Sequence, residues 1–108
     1  MDMNQFNDEE LHQALNLETA QISWTELQRQ FASGRLIKVS NELDLVKTAM
    51  KFVRDDKQAI EKWIEAGQIH PATDDDARLW NEKQADFWSV VVAPWVLVQE
   101  IQAPGEKK

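Results

Sequence analysis

The run from Phe87 to Ile101, F-W-S-V-V-V-A-P-W-V-L-V-Q-E-I, constrains the fold more than any other stretch of this chain. It is the only long, nearly charge-free apolar segment, and it holds two of the five tryptophans. β-Branched and aromatic side chains fit a pleated, buried surface better than a helix. Pro94 divides the run into Phe87–Ala93 and Trp95–Ile101, each of strand length. In the first half Phe87, Ser89 and Val91 point one way and Trp88, Val90 and Val92 the other, which predicts cover on both faces. In the second half Trp95, Leu97, Gln99 and Ile101 alternate with Val96, Val98 and Glu100. Pro94 lacks an N–H and cannot sit inside a central ladder. It therefore either opens a tight turn between antiparallel strands or bends one edge strand. The hairpin is the expectation, and a cis Ala93–Pro94 bond is open to it.

The run is too short to cross a membrane, is broken by Pro94 and meets charge at Glu100. No basic segment followed by an apolar one opens the chain, so no signal peptide and a cytoplasmic location are expected. With 108 residues, one domain spanning 1–108 is expected, with residues 1–6 and 103–108 flexible. Folding at this size buries roughly two thirds of the unfolded chain's surface, enough for a core without staples. The chain has no cysteine, which removes disulfides, thiolate metal sites and Cys nucleophiles and fits a reducing compartment.

The net charge of −7 is unevenly spread. Residues 1–28 carry Asp2, Asp8, Glu9, Glu10, Glu18 and Glu26 and no Lys or Arg, whereas cations outnumber acids over 29–62. Asn7 with Glu10 forms a capping box for a first helix ending near Ala20. Ser23 with Glu26 forms a second, opening a short helix through Trp24, Leu27 and Phe31 that Gly34 closes. Leu36–Val39 reads as a strand. Leu45, Val46, Ala49, Met50 and Val53 mark one face of a helix, and Ala59, Ile60, Trp63 and Ile64 mark another that ends at Gly67. Ile69, His70 and Pro71 read as a connector. Thr73 with Asp76 is a third capping box, opening a helix through Ala77 and Trp80. The expected fold class is α+β, with about five short amphipathic helices packed on a small, mostly antiparallel sheet of about three strands. A winged-helix-like arrangement is the alternative.

No residues in this pattern assemble a catalytic, cofactor-binding or metal-ligating set. Asp74, Asp75 and Asp76 point in different directions on a first helical turn, where acids serve the helix dipole. Asp55 and Asp56 read as a junction between helices, because no apolar surroundings split their acidities. His12 lies on an acidic helix and His70 precedes a proline, neither in a triad-like context. The three glycines are too scattered for a phosphate loop. Arg35, Lys38, Lys47, Lys51 and Arg54 form an anion-facing stripe on one reading and the solvated side of a helix on the other. The solvated reading is preferred, since the net charge repels polyanions and no aromatic stands among these cations to stack on bases. Trp24, Trp63 and Trp80 occupy helical core positions. Trp88 and Trp95 flank the bend, and with Pro94, Leu97 and Gln99 they mark an expected interaction surface. An unprotected Trp95–Ile101 edge would invite pairing with another chain.

Five segments carry a family resemblance: W-T-E-L at Trp24–Leu27, L-D-L-V at Leu43–Val46, W-I-E-A-G at Trp63–Gly67, A-T-D-D-D-A-R at Ala72–Arg78 and V-V-V-A-P-W-V-L-V-Q-E at Val90–Glu100. Over Leu17–Glu100 the chain resembles an uncharacterised family of small bacterial proteins, domain of unknown function 2288. The resemblance implies a bacterial, cytoplasmic protein and brings no activity or cofactor with it. The expected function is that of a non-enzymatic protein-interaction module, homodimeric through the Trp95–Ile101 edge. The alternatives are a small-molecule binder or minor enzyme with a tryptophan-lined pocket and, third, weak nucleic-acid binding through the basic stripe.

Overall fold

A computed structural model describes residues 5–101. Along them run α1 (Asp8–Glu18), β1 (Ala20–Ser23), α2 (Trp24–Ala32), β2 (Leu36–Val39), α3 (Leu45–Val53), α4 (Lys57–Glu65), β3 (Ile69–Pro71), α5 (Asp74–Lys83), β4 (Asp86–Val92) and β5 (Trp95–Glu100). The class is α+β, but the sheet has five strands in the order β1-β4-β5-β2-β3 rather than about three. The apolar run does form a hairpin, with Val92 opposite Trp95 and a cis bond between Ala93 and Pro94. It supplies the second and third strands, which is not the peripheral place a winged-helix hairpin would take. The β2–β5 pairing is parallel and the other three are antiparallel.

The two unforeseen strands are the sheet's edges. Ala20–Ser23 is four residues of mixed polarity, and Ile69–Pro71 is three residues ending in proline. Strands so short carry no alternation of their own; pairing to β4 and β2 makes them strands. Pro71 stands at an edge, where its missing N–H costs the ladder nothing.

Helix ends follow local chemistry. Asn7 and Thr73 form complete capping boxes, and Ser23, Asp44 and Asp56 accept bonds from the backbone N–H groups of Glu26, Lys47 and Ala59. Helices α2, α3 and α4 each close with a Schellman pair of hydrogen bonds, whose left-handed residues are Gly34, Asp55 and Gly67.

The sheet separates two cores. On one face α2 and α5 bring Trp24, Leu27 and Trp80 onto Leu36, Phe87, Val96 and Val98. On the other, α1 and α3 bring Leu11, Leu15, Leu45, Val46 and Ala49 onto Ile37, Val39, Ile69, Val90, Val92 and Leu97, and the partly buried Ile60 and Trp63 of α4 pack against them. The alternation expected along β4 is present, with Phe87 in one core and Val90 and Val92 in the other. Of the termini expected to be flexible, residues 1–4 and 103–108 lie outside the described residues. Phe6 packs against the aliphatic core, and its carbonyl oxygen accepts a bond from Arg54 Nη2 at 2.6 Å.

Candidate functional site

The principal concavity lies on the aliphatic face, between the hairpin tip and the ends of α3 and α4. It is an open groove of about 990 Å³. Ile37, Ile69 and Val92 form its buried base. Phe52 and Val53 from the end of α3, and Ile60 and Ile64 from α4, form one side; Val91, Ala93, Pro94 and Trp95 at the hairpin tip form the other. Glu18, Asp55, Lys57 and Glu61 supply the charge around it, with His70 and Pro71 at its β3 end.

The geometry of the hairpin explains why apolar residues are left open here. Trp95 opens β5 immediately after the turn, beyond the reach of α3, and remains 38 % exposed. Val91, 59 % exposed, borders the groove, but it alternates with Val90 and Val92 and pairs with Val96, so its side chain stands on the α2/α5 face. Ile64 lies one turn beyond Ile60 on the side of α4 facing the groove, and is 52 % exposed. Of the exposed large apolar side chains among the described residues, Ile64 and Trp95 are the two turned to this groove.

The residues expected to mark an interaction surface do not lie on one surface. Pro94 and Trp95 line the groove, and Trp88 is exposed elsewhere on β4. Leu97 is fully buried. Gln99 is a structural fastener: its Nε2 donates to the carbonyl oxygens of Ser40 and Leu43 at 2.8 and 2.7 Å, tying down the loop after β2. Strand β5 is not an edge, because β4 and β2 occupy both its sides, so a second copy cannot pair with Trp95–Ile101. A tryptophan-lined pocket does not form either: Trp95 is the one tryptophan at the groove, while Trp24 and Trp80 are buried in the opposite core.

The basic stripe is not one surface. Lys38 points to the α5 side of the sheet, 3.1 Å from Asp76 and 5.9 Å from the centre of the Trp80 ring. Lys47, Lys51 and Arg54 ride on α3 across the sheet, and Lys51 and Arg54 pair with Asp56 at 3.4 Å and Asp8 at 3.3 Å. Arg35 is exposed just before β2. Three of the five cations are paired with carboxylates and the sheet divides the set, so they do not form one continuous surface.

The acidic runs serve the helices. Asp76 accepts from the Thr73 N–H and holds Lys38, and Asp75 pairs with Arg78 at 3.0 Å. Burial pushes the Asp76 carboxyl up, but the Thr73 N–H, Lys38 and the Thr73 hydroxyl outweigh it and hold the group below the usual aspartate value. At Asp56 the Ala59 N–H leads; opposed by desolvation and helped by Lys51, it lowers that carboxyl too. His12 is half-buried on α1, and His70 Nδ1 lies 2.9 Å from the Pro71 carbonyl oxygen. Among the described residues, no three His, Asp or Glu side chains come together as a metal site. No helix among them is long and apolar enough to cross a membrane.

The family described as Protein of unknown function (DUF2288) matches residues 10–100. The chain belongs to that family. It is also similar to a solved structure, the NMR solution structure of PA1075 from Pseudomonas aeruginosa, with 38 % sequence identity and a TM-score of 0.77 over 95 % of this chain and 94 % of that one. The comparison with curated proteins returns no match. Neither the DUF2288 family nor the Pseudomonas structure indicates a specific function, so any role for the groove must be argued from its own chemistry.

Sequence reasoning missed Phe52, Val53 and Ile64 as members of the site. The spacing of Val53 and Ile64 marks them as core, and nothing local distinguishes a core position from one that the neighbouring elements fail to cover.

Proposed function

We propose that this DUF2288 protein is a non-enzymatic protein-interaction module whose recognition surface is the groove between α4 and the β4–β5 hairpin. The observation that carries the reading is the placing of Ile64 and Trp95, exposed at 52 % and 38 %, around one concavity with the partly buried Phe52, Val53 and Ile60. Apolar side chains scattered singly over a surface need no explanation, but a contiguous set rimmed by charge marks a binding surface. Trp95 is an anchor of the kind that dominates interface energetics, a large rigid ring whose N–H can find a partner at the rim. The groove's volume suits a few side chains of a protein partner. We take the cytoplasm as the working compartment, in keeping with a chain that has no cysteine.

The test is site-specific photo-crosslinking in the host, with a benzophenone side chain at Trp95 and, as control, at Leu79. Leu79 is also exposed but lies on α5, across the sheet. Discrete adducts from position 95 that Ile64→Gln abolishes, with none from position 79, are expected. The same pattern from both positions, or adducts indifferent to Ile64→Gln, would overturn the reading.

A further inference from the structure

Resting on that reading, we infer that the groove's occupant is an amphipathic helix with a basic flank, contributed by a protein partner. Two features set its shape. Helices α1, α3 and α4 already cover this face of the sheet, and the groove is the interval that they leave against the hairpin tip. A volume of about 990 Å³ corresponds to roughly two turns of a helix about 10 Å across, so one more short helix would complete the layer. The rows presented by Ile60 and Ile64, one turn apart on α4, are the kind into which another helix packs its own ridges.

Two further features set its charge. Carboxylates at Glu18, Asp55 and Glu61 outnumber the single ammonium of Lys57 around the groove, within a chain of net charge −7. Such a rim attracts a cationic flank at long range and rejects an acidic one. Asp55 is the more telling residue. It occupies the left-handed position that closes α3, at φ +56°, where Gly34 and Gly67 close α2 and α4. Gln84 closes α5 in the same left-handed way, but it does not line the groove. Keeping a side chain where glycine would be unstrained costs stability, and such strain concentrates at functional positions. At Asp55 the side chain kept is a carboxylate on the groove's lining.

The experiment titrates the full chain, followed by intrinsic tryptophan fluorescence and calorimetry, with three synthetic helical peptides. They share one leucine face at i, i+3, i+4 and i+7 and differ only in a Lys, Gln or Glu polar face. A fourth, the Lys peptide with a central proline, removes the helix. The Lys peptide is expected to bind about tenfold more tightly than the Gln peptide at low salt, the sum of a few exposed charge pairs, and the Glu peptide more weakly still. Glu18→Lys with Glu61→Lys should reverse that order, Asp55→Gly should weaken the Lys peptide while raising thermal stability, and the proline peptide should fail. Equal binding of all three charge forms, still sensitive to Ile64→Gln, would leave the groove as the surface and overturn the basic helix. Unimpaired binding of the proline peptide would overturn the helical form. Binding of the Lys peptide that ignores Ile64→Gln would make it non-specific and sink the inference. If no peptide binds and the protein instead self-associates in a manner abolished by Ile64→Gln, the occupant is a second copy and the inference fails; if neither occurs, the groove reading itself fails with it.

Discussion

The two faces of the sheet use the same strands and reach opposite ends. On the α2/α5 face, rings meet edge to face or tilted: Trp80 lies 4.9 Å from Phe87, edge to face, and 5.6 Å from Trp24, tilted, and Trp24 lies 5.7 Å from Phe31, edge to face. Lys38 closes that stack over Trp80, with its ammonium on Asp76. On the α1/α3/α4 face the core is almost entirely aliphatic, and it runs without a break into an open groove. A stack of large rings is rigid and fills its layer, whereas branched aliphatic chains on three short helices leave a gap where those helices stop. The closed face stabilises the fold, and the open face leaves apolar surface available for binding.

The sharpest way to break that contrast is to truncate the closed face. Trp80→Ala removes a ring that is 1 % exposed and touches Trp24 and Phe87. It should cost about 3–5 kcal/mol in chemical denaturation. A loss below about 1 kcal/mol would mean that Trp80 of α5 does not hold that core together.

The polar seal on the same face predicts a smaller, pH-dependent effect. Asp76 is held below its ordinary value of 3.8, so its contribution is fully present above that pH. It is lost as pH falls below 3.8 and through the lower folded value, where the unfolded chain binds the proton more readily. Asp76→Asn should therefore cost roughly 1 kcal/mol near neutrality, and the difference from the native chain should shrink under strong acid. A constant difference across that range would show that the charge of Asp76 does not matter.

The same contrast shows what was legible beforehand. The hairpin at Pro94, the two complete capping boxes and the amphipathic stripes of α2 and α3 rest on local chemistry, which the order of residues carries directly. Strands β1 and β3 do not, because only their neighbours make them strands. The central place of β5 depends on a parallel partner, Leu36–Lys38, that lies more than half the chain away. That is why Leu97 and Gln99 read as surface although they are core and fastener. Conversely, Ile64 follows Ile60 and Trp63 at helical spacing and reads as core. Its exposure results from where α4 ends relative to the hairpin tip, a tertiary fact with no local signature.

The smallest expected effect is also the one that most sharpens the distinction between the faces. Ile64→Gln replaces a more-than-half-exposed apolar side chain with a polar one suited to the same element, since glutamine is a good helix former. If the groove were unfinished core, the substitution would cost stability in proportion to the area still buried. If the groove is a surface held open for a partner, it should change unfolding free energy by no more than about 0.5 kcal/mol. Hydrogen-exchange protection of the core strands β4 and β5 should then stay at the native level, since local opening of those amides reports global stability. A loss above about 1.5 kcal/mol would place the groove with the core and make its apolar lining a matter of folding rather than binding.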